Sequence, residues 1–419
     1  MSKNGKDRRP YLRPVTRITL PEINVKARWI LLVVFLLIAA GAFAVGVGEL
    51  VTTQPGWQEI TVSSQNRSCA DEFQLMYDFS EAGGSATAQN KTLNALYTQA
   101  TEEIYRLFTP DELEEGVHNI AYLNAHLCEP VTVEPELYEA LRLVAEANDR
   151  HVFLAPAMVE YDRLFRSGAD GEAALYDPTT EPEAGKWVSD VAFFVSNPDH
   201  IQLRLEENNQ VTLFLSQEYL EFCRENEIET VLDFGWMVNA FRIDALAQRL
   251  TAQGFTNGYL VSRDGFTRNL DCRGTVYSLN LYDAQGVDVY MPAEIRYPGQ
   301  LSMVSLRSFP LTEQDQWRYY AYADGRIVSC FVDPEDGMSK TAASMLLCYS
   351  RELGCGQILL QAVNTYVSDV LDPQQLQSLR QAGISSIWSK EQTICYNDPS
   401  LEISLLPESG PGYRLACQN

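Results

Sequence analysis

The 419-residue chain is 46% hydrophobic and 21% charged, a balance that fits a globular protein with a sizeable core and excludes intrinsic disorder. Its formal net charge is −24; the first 28 residues carry eight basic and two acidic side chains, so the rest of the chain holds −30. Such a surface repels phosphate backbones and anionic lipid, which argues against nucleic-acid binding and is otherwise read as solubility.

Nine cysteines without a CxxC pair and only four histidines give a Cys/His zinc site no support. An odd number of cysteines at irregular spacing defines no disulfide connectivity, and most are expected as small buried side chains.

In chain order, residues 1–28 form a basic segment expected to stay in the cytoplasm, and 29–50 a transmembrane helix. The run Ile30 to Gly48 contains no charge and is long enough for a single span. A cleaved signal peptide is the competing reading, since AGAFA offers small residues, but the leader before the apolar run is long for one. An uncleaved anchor is therefore expected, with residues 51–58 as a linker and 59–419 as one exported α+β domain.

Within that domain, Leu93, Leu96, Tyr97, Ala100, Ile104 and Leu107 share one face of a helix over Asn90 to Thr109, stopped by Pro110. A second helix runs from Val133 to Ala147, with Pro135 in its first turn and Leu137, Leu141 and Val144 inward. Two helices are thus expected ahead of most of the strands. IQLRLEENNQVTLFL predicts a hairpin turning at Asn208 and Asn209, and WRYYAYADGRIVSCFV a second, from Trp317 to Val332, turning at Asp324-Gly325. Ser344 to Tyr349 reads as a strand, Pro373 to Ala382 as a helix, and Ile384 to Trp388, Thr393 to Tyr396 and Leu401 to Leu405 as short strands.

The stretch VLDFGWMVNAFRID, Val231 to Asp244, places two carboxylates eleven residues apart around Gly235. It reads as a strand from Glu229 to Leu232, then a helix burying Val238, Phe241, Ala245 and Leu246. Helix N-termini after glycine bind anions readily, but Trp236 and Met237 do not make a phosphate-cradling loop. On residues alone Asp233 reads as a helix cap, Asp244 as a solvated helical charge, and Asp333-Pro334 as a turn.

The order of segments nevertheless resembles the FAD:protein FMN transferase (ApbE-like) family, which carries D-x-G-G-x-x-K-G-x-x-x-D at such a junction. Asp233, Gly235 and Asp244 fall on its first Asp, first Gly and last Asp, with Asn239 at the lysine position. YRLFTPDELEEGVHNIAYLN and VTVEPELYEALRLVAEA look like its early helices. In VSCFVDPEDG, Asp333, Pro334 and Gly337 match the H-I-x-D-P-x-T-G segment. The similarity spans about Trp57 to Leu405. It implies a single large ApbE-like domain behind the anchor, with Asp233, Gly235, Asn239, Asp244, Asp333 and Gly337 as candidate cofactor-binding residues. It also implies an activity in which FAD is bound, Mg²⁺ neutralises the pyrophosphate, and FMN passes to a Thr or Ser of an exported protein.

Departures from the motif point the other way. Asn239 removes the lysine, Trp236 and Ala240 replace glycines, and Arg263-Asp264 stand where a glycine pair would leave room for a stacked ring. Cys330 replaces the histidine, and a thiol is no substitute for imidazole in acid–base work at neutral pH. Leu154 to Ala157 replaces F-D-P-T, and the metal-ligand pair maps near Gly354 and Ile358, neither of which offers a side-chain ligand, while a shifted alignment would offer Glu352 with Gly356 four residues on. No catalytic residue and no metal ligand is assigned. The expected protein is a membrane-anchored binding or assembly module of exported partners, without FAD or Mg²⁺. The alternatives are an active divergent transferase using both, and a flavin or nucleotide binder without turnover.

Overall fold

All six residues of the strand Met345–Ser350 are buried, which requires cover on both faces of its sheet. Period-two alternation assigns the two covers. Leu346 and Cys348, with Val304 and Leu306 on the neighbouring strand Ser302–Arg307, join the larger core. Met345, Leu347 and Tyr349, with Met303, face a smaller core with Leu281, Ala293, Ile295 and Tyr297. The structure, a computed structural model, describes residues 55–419 apart from 63, 83–84, 287, 408–411 and 419. The expected basic segment, membrane span and residues 51–54 of the linker lie outside the described residues. No described helix is long and apolar enough to cross a membrane.

The central sheet has nine strands, in the spatial order Trp57–Ile60, Phe73–Asp78, Gly258–Ser262, Phe266–Asn269, Ser302–Arg307, Met345–Ser350, Ser385–Lys390, Thr393–Tyr396 and Arg414–Cys417. Neighbours are antiparallel except the last pair. A three-stranded sheet, Val276–Gln285, Asp288–Pro298 and Glu402–Leu405, covers the smaller core. Helices Val238–Ala252 and Cys355–Tyr366 pack on the other side. Mixed α+β architecture is therefore observed.

The helix Ala86–Leu107 buries Leu93, Tyr97, Ala100, Ile104 and Leu107, with Leu96 half-buried, and Pro135–Ala147 buries Leu137, Leu141 and Val144, both as the periodicity predicts. Asn208 and Asn209 turn the first hairpin in the left-handed region, at φ 60° and 58°. The second hairpin is shorter than expected: its strands are Tyr319–Ala321 and Ile327–Ser329, while Trp317 lies in the 3₁₀ turn Glu313–Arg318. Trp57 and Gln58, read as linker, belong to the first strand.

The expectation of two helices ahead of most strands holds among the described residues. Strands Trp57–Ile60 and Phe73–Asp78 come first, and helices Ile120–Ala125, Ala155–Phe165, Pro182–Ser196 and Gln217–Glu225 add to the two expected. Short apolar runs and the polar composition of the region from 167 to 186 conceal them.

The expected strand Glu229 to Leu232 is absent; that segment is a loop in which Val231 and Leu232 are buried. A side chain takes the place of a neighbouring strand. Asn124 Oδ1 accepts from the backbone N–H groups of Val231 and Leu232 at 3.1 and 3.0 Å, and its Nδ2 donates to the Leu232 carbonyl at 2.9 Å. Buried backbone polar groups must be paired, and one amide pairs three. Asn124→Ala should cost about 3 kcal/mol in denaturant unfolding, since it strands those groups. Asn124→Asp, which keeps the acceptor, should cost distinctly less than the alanine.

Candidate functional site

After the Asn124-held loop, Asp233 donates its backbone N–H to the Val152 carbonyl at 2.8 Å, and its Oδ1 accepts from the Gly235 N–H at 2.8 Å. Gly235 sits at φ +49°. The pair forms a local turn rather than the helix cap expected for Asp233. A 3₁₀ turn, Gly235–Met237, leads into the helix Val238–Ala252. Of the expected inward set Phe241, Ala245 and Leu246 are buried, and Val238 is half-buried.

Trp236 turns inward, its ring meeting the edge of Phe331 at a centroid distance of 4.8 Å. This contact joins the Asp233 segment to the Cys330 segment.

Asn239 is buried, and its Nδ2 donates to Asp264 Oδ2 at 3.0 Å. The Asp264 carboxylate also accepts from the Ser262 hydroxyl, and its carbonyl from Arg318 Nη1 at 3.2 Å. The position the resemblance gives to a lysine is therefore a core contact. Arg263 is exposed and lines a separate groove with Asp71, Tyr97 and Tyr105. Its backbone N–H pairs with the Glu72 carbonyl, and its side chain is not among those lining the cleft beside Asp233.

Asp244 is not a solvated charge. Its two oxygens accept from the N–H groups of Cys355 and Gly356 at 3.0 and 2.9 Å, capping the helix Cys355–Tyr366 from outside that helix. Burial pushes its carboxyl above the usual range, opposed by Arg268 and the two N–H groups. A Cβ on Gly354 would lie 2.4 Å from Asp244 Oδ2. Asp244 thus fills the space of a ligand side chain at 354, while Ile358 is fully buried and Glu352 is exposed.

Asp333 shapes a turn, as its residues suggest. Oδ1 accepts from the Glu335 N–H at 2.9 Å and Oδ2 pairs with Lys340 Nζ at 2.7 Å. Gly337, at φ +74°, lets this turn approach helix Pro182–Ser196: a Cβ there would lie 2.5 Å from the Val188 carbonyl oxygen. Its own carbonyl accepts from the Tyr161 hydroxyl at 2.8 Å.

Only Asp233 and Gly235 of the six candidate residues line a cleft; Asn239, Asp244, Asp333 and Gly337 serve packing contacts elsewhere. The cleft has a volume of about 240 Å³ and draws together three segments singled out in the sequence: Leu154 and Ala155, Asp233 to Trp236, and Cys330. Burial pushes the Cys330 thiol up, against the opposing pull of Arg318, so it is held as a thiol and not as a nucleophile. Sequence reasoning missed Asp149, His151 and Asp162. His151 and Asp162 line the cleft, Asp149 Oδ2 lies 2.9 Å from His151 Nδ1, and no local spacing marks them.

A nine-stranded mixed sheet with helices on one face, a small sheet on the other and a cleft at the loop before the helix Val238–Ala252 defines a single α+β class. That fold is ApbE-like. It matches the ApbE protein of Thermotoga maritima with a TM-score of 0.51 and 12% identity, covering 84% of this chain and 97% of that one. Flavin transferase ApbE from Vibrio cholerae aligns at a TM-score of 0.49 and 12% identity, over 85% and 99%. No protein-family model and no curated protein sequence matches the chain.

The Asp244 contact makes a prediction at Gly354, whose φ of −77° and ψ of 167° suit any residue. Gly354→Ala should destabilise by about 2 kcal/mol through crowding alone. In an Asp244→Ala background the same change should be near neutral, giving a coupling above about 1 kcal/mol in a double-mutant cycle read by chemical denaturation.

Proposed function

We propose that the chain is a membrane-anchored, extracytoplasmic protein of ApbE-like fold that does not transfer FMN and acts as a binding or assembly module for an exported partner. The observation that carries this reading is the internal use of the motif positions. Asn239 is spent on Asp264, and Asp244 on the helix that begins at Cys355. A lysine or a ligand carboxylate restored at 239 or 354 would have to displace a satisfied buried partner, which is costly.

The cleft's dimensions support the same reading. Pockets for drug-sized ligands run to roughly 300–1,000 Å³, FAD is larger than such ligands, and the space beside Asp233 is about 240 Å³. The basic segment before Ile30 and the uncharged run to Gly48 support the anchor and its orientation.

Full-length protein incubated with FAD, Mg²⁺ and a peptide bearing the family's acceptor motif should yield no FMN-modified product by mass spectrometry. FAD with Mg²⁺ should leave the melting temperature unchanged. Clear modification would overturn the reading in favour of an active transferase, and an FAD-dependent rise in melting temperature without product would replace it with a flavin binder that lacks turnover.

A further inference from the structure

Toward the end of the nine-stranded sheet away from Trp57–Ile60, a groove of about 820 Å³ lies between the helix Pro373–Gln381 and the strands Ser385–Lys390 and Thr393–Tyr396. Trp388 and Cys395, directly opposite each other on the two strands, line it together with Leu376 of the helix. All three are buried and give the groove an apolar floor. It shares no lining residue with the cleft beside Asp233.

The two charged side chains that line the groove are both cations, Arg380 and Lys390, in a chain with 56 acidic and 32 basic residues. Both are exposed, and neither side chain has an ion pair or a hydrogen bond among the described residues. The acids nearest them in sequence are placed elsewhere. Asp372 caps the helix through the Gln374 N–H at 2.8 Å, and neither it nor Glu391 lines the groove.

A third donor is fixed by the fold. Asn397, 6% exposed, lines the same groove. Its Oδ1 accepts from the Ser386 N–H at 2.8 Å; a backbone N–H only donates, so the other end of this amide is the nitrogen. That Nδ2 has no hydrogen-bond partner among the described residues and keeps accessible surface. Buried side chains rarely leave such donors unspent, and this one calls for a partner in the groove.

A cation would meet two positive charges and no carboxylate. A neutral apolar guest would cover the floor and leave the Asn397 donor unpaired, while a small inorganic anion would leave the floor uncovered. We propose that the groove binds a small organic carboxylate with a flat apolar body. The carboxylate accepts from Asn397 Nδ2 in the positive potential of Arg380 and Lys390, and the body lies against Trp388 and Leu376. The planar guanidinium of arginine matches a carboxylate, and an indole offers a broad apolar surface. The volume falls within the roughly 300–1,000 Å³ of small-molecule sites. This site is independent of whether the chain transfers FMN.

Calorimetric titration of the full-length chain with 2-naphthoate, 2-naphthylmethanol and 2-naphthylmethylammonium tests the head group on one apolar body, and acetate tests the head without the body. 2-Naphthoate should bind at least tenfold more tightly than the alcohol, with no measurable heat from the ammonium or from acetate. Raising the salt concentration about tenfold should weaken 2-naphthoate several-fold and leave the alcohol unchanged. Arg380→Gln combined with Lys390→Gln, both at exposed side chains, should weaken 2-naphthoate at least tenfold with an unchanged circular dichroism spectrum. Asn397→Asp keeps the acceptor for Ser386 and puts an acceptor in place of the donor, and it should abolish binding of 2-naphthoate.

Equal affinity for the carboxylate and the alcohol, tighter binding of the ammonium, no heat from 2-naphthoate, or a double variant that binds as the parent does would overturn the proposal. Should Asn397→Asp lose its folded circular dichroism spectrum, the Arg380 and Lys390 double variant and the probe series decide it.

Discussion

Asp244 holds the centre of the domain. Its carboxylate takes the first free N–H groups of the helix Cys355–Tyr366, and the same helix that carries it places Asn239 against Asp264. Arg318 then reaches the Asp264 carbonyl from the 3₁₀ turn Glu313–Arg318. Three segments distant in sequence are linked to one helix by buried and half-buried polar groups. In a low-dielectric interior each of these groups is expensive to leave alone and strongly bound when paired. The arrangement around the cleft follows from that pairing, because Trp236 enters the core at the start of this helix and meets Phe331 next to Cys330.

The same residue types also serve the packing of the fold. An aspartate at the last motif position needs hydrogen bonds whether or not a nucleotide is present, and the N-terminus of a neighbouring helix supplies them. Asp333 and Gly337 are explained as fully by a turn that lies against Val188. What stays open is the region beside the second oxygen of Asp233, where His151 Nε2 has no hydrogen-bond partner among the described residues. Unspent bonding capacity separates that place from the rest of the motif.

Much of the architecture is legible where local chemistry and tertiary packing agree. The helix faces beginning at Leu93 and Leu137 carry a clear 3.6-residue period, and Asn208-Asn209 and Asp324-Gly325 supply backbone conformations that turns require. The segment Glu229 to Leu232 misleads because its composition is that of a strand while its pairing comes from Asn124, over a hundred residues earlier. Helices such as Pro182–Ser196, buried on Val188, Val191 and Val195, are obscured by a β-branched composition that favours strands when read locally. At the site, Asp233 and Gly235 are legible from the motif. The Asp149–His151 pair is not, since its meaning depends on a nitrogen left unpaired by folding. Arg263 illustrates a related limit: sequence places a residue beside a site but not the direction in which its side chain leaves the backbone.

The central sheet also orders events in time. Phe73–Asp78 pairs on its inner side with Gly258–Ser262, so a ribosome must release the whole intervening run of helices, and the small sheet that joins 130–132 to 201–215, before that edge can close. Closing so long a loop is entropically slow relative to local helix formation. The early strand Phe73–Asp78, with Leu75 fully buried in the finished protein, waits as an unpaired apolar edge during that interval. Nascent chains of this protein thus expose a β-template that the mature molecule hides, which makes the interval before Gly258 emerges the one in which a chaperone has most to protect.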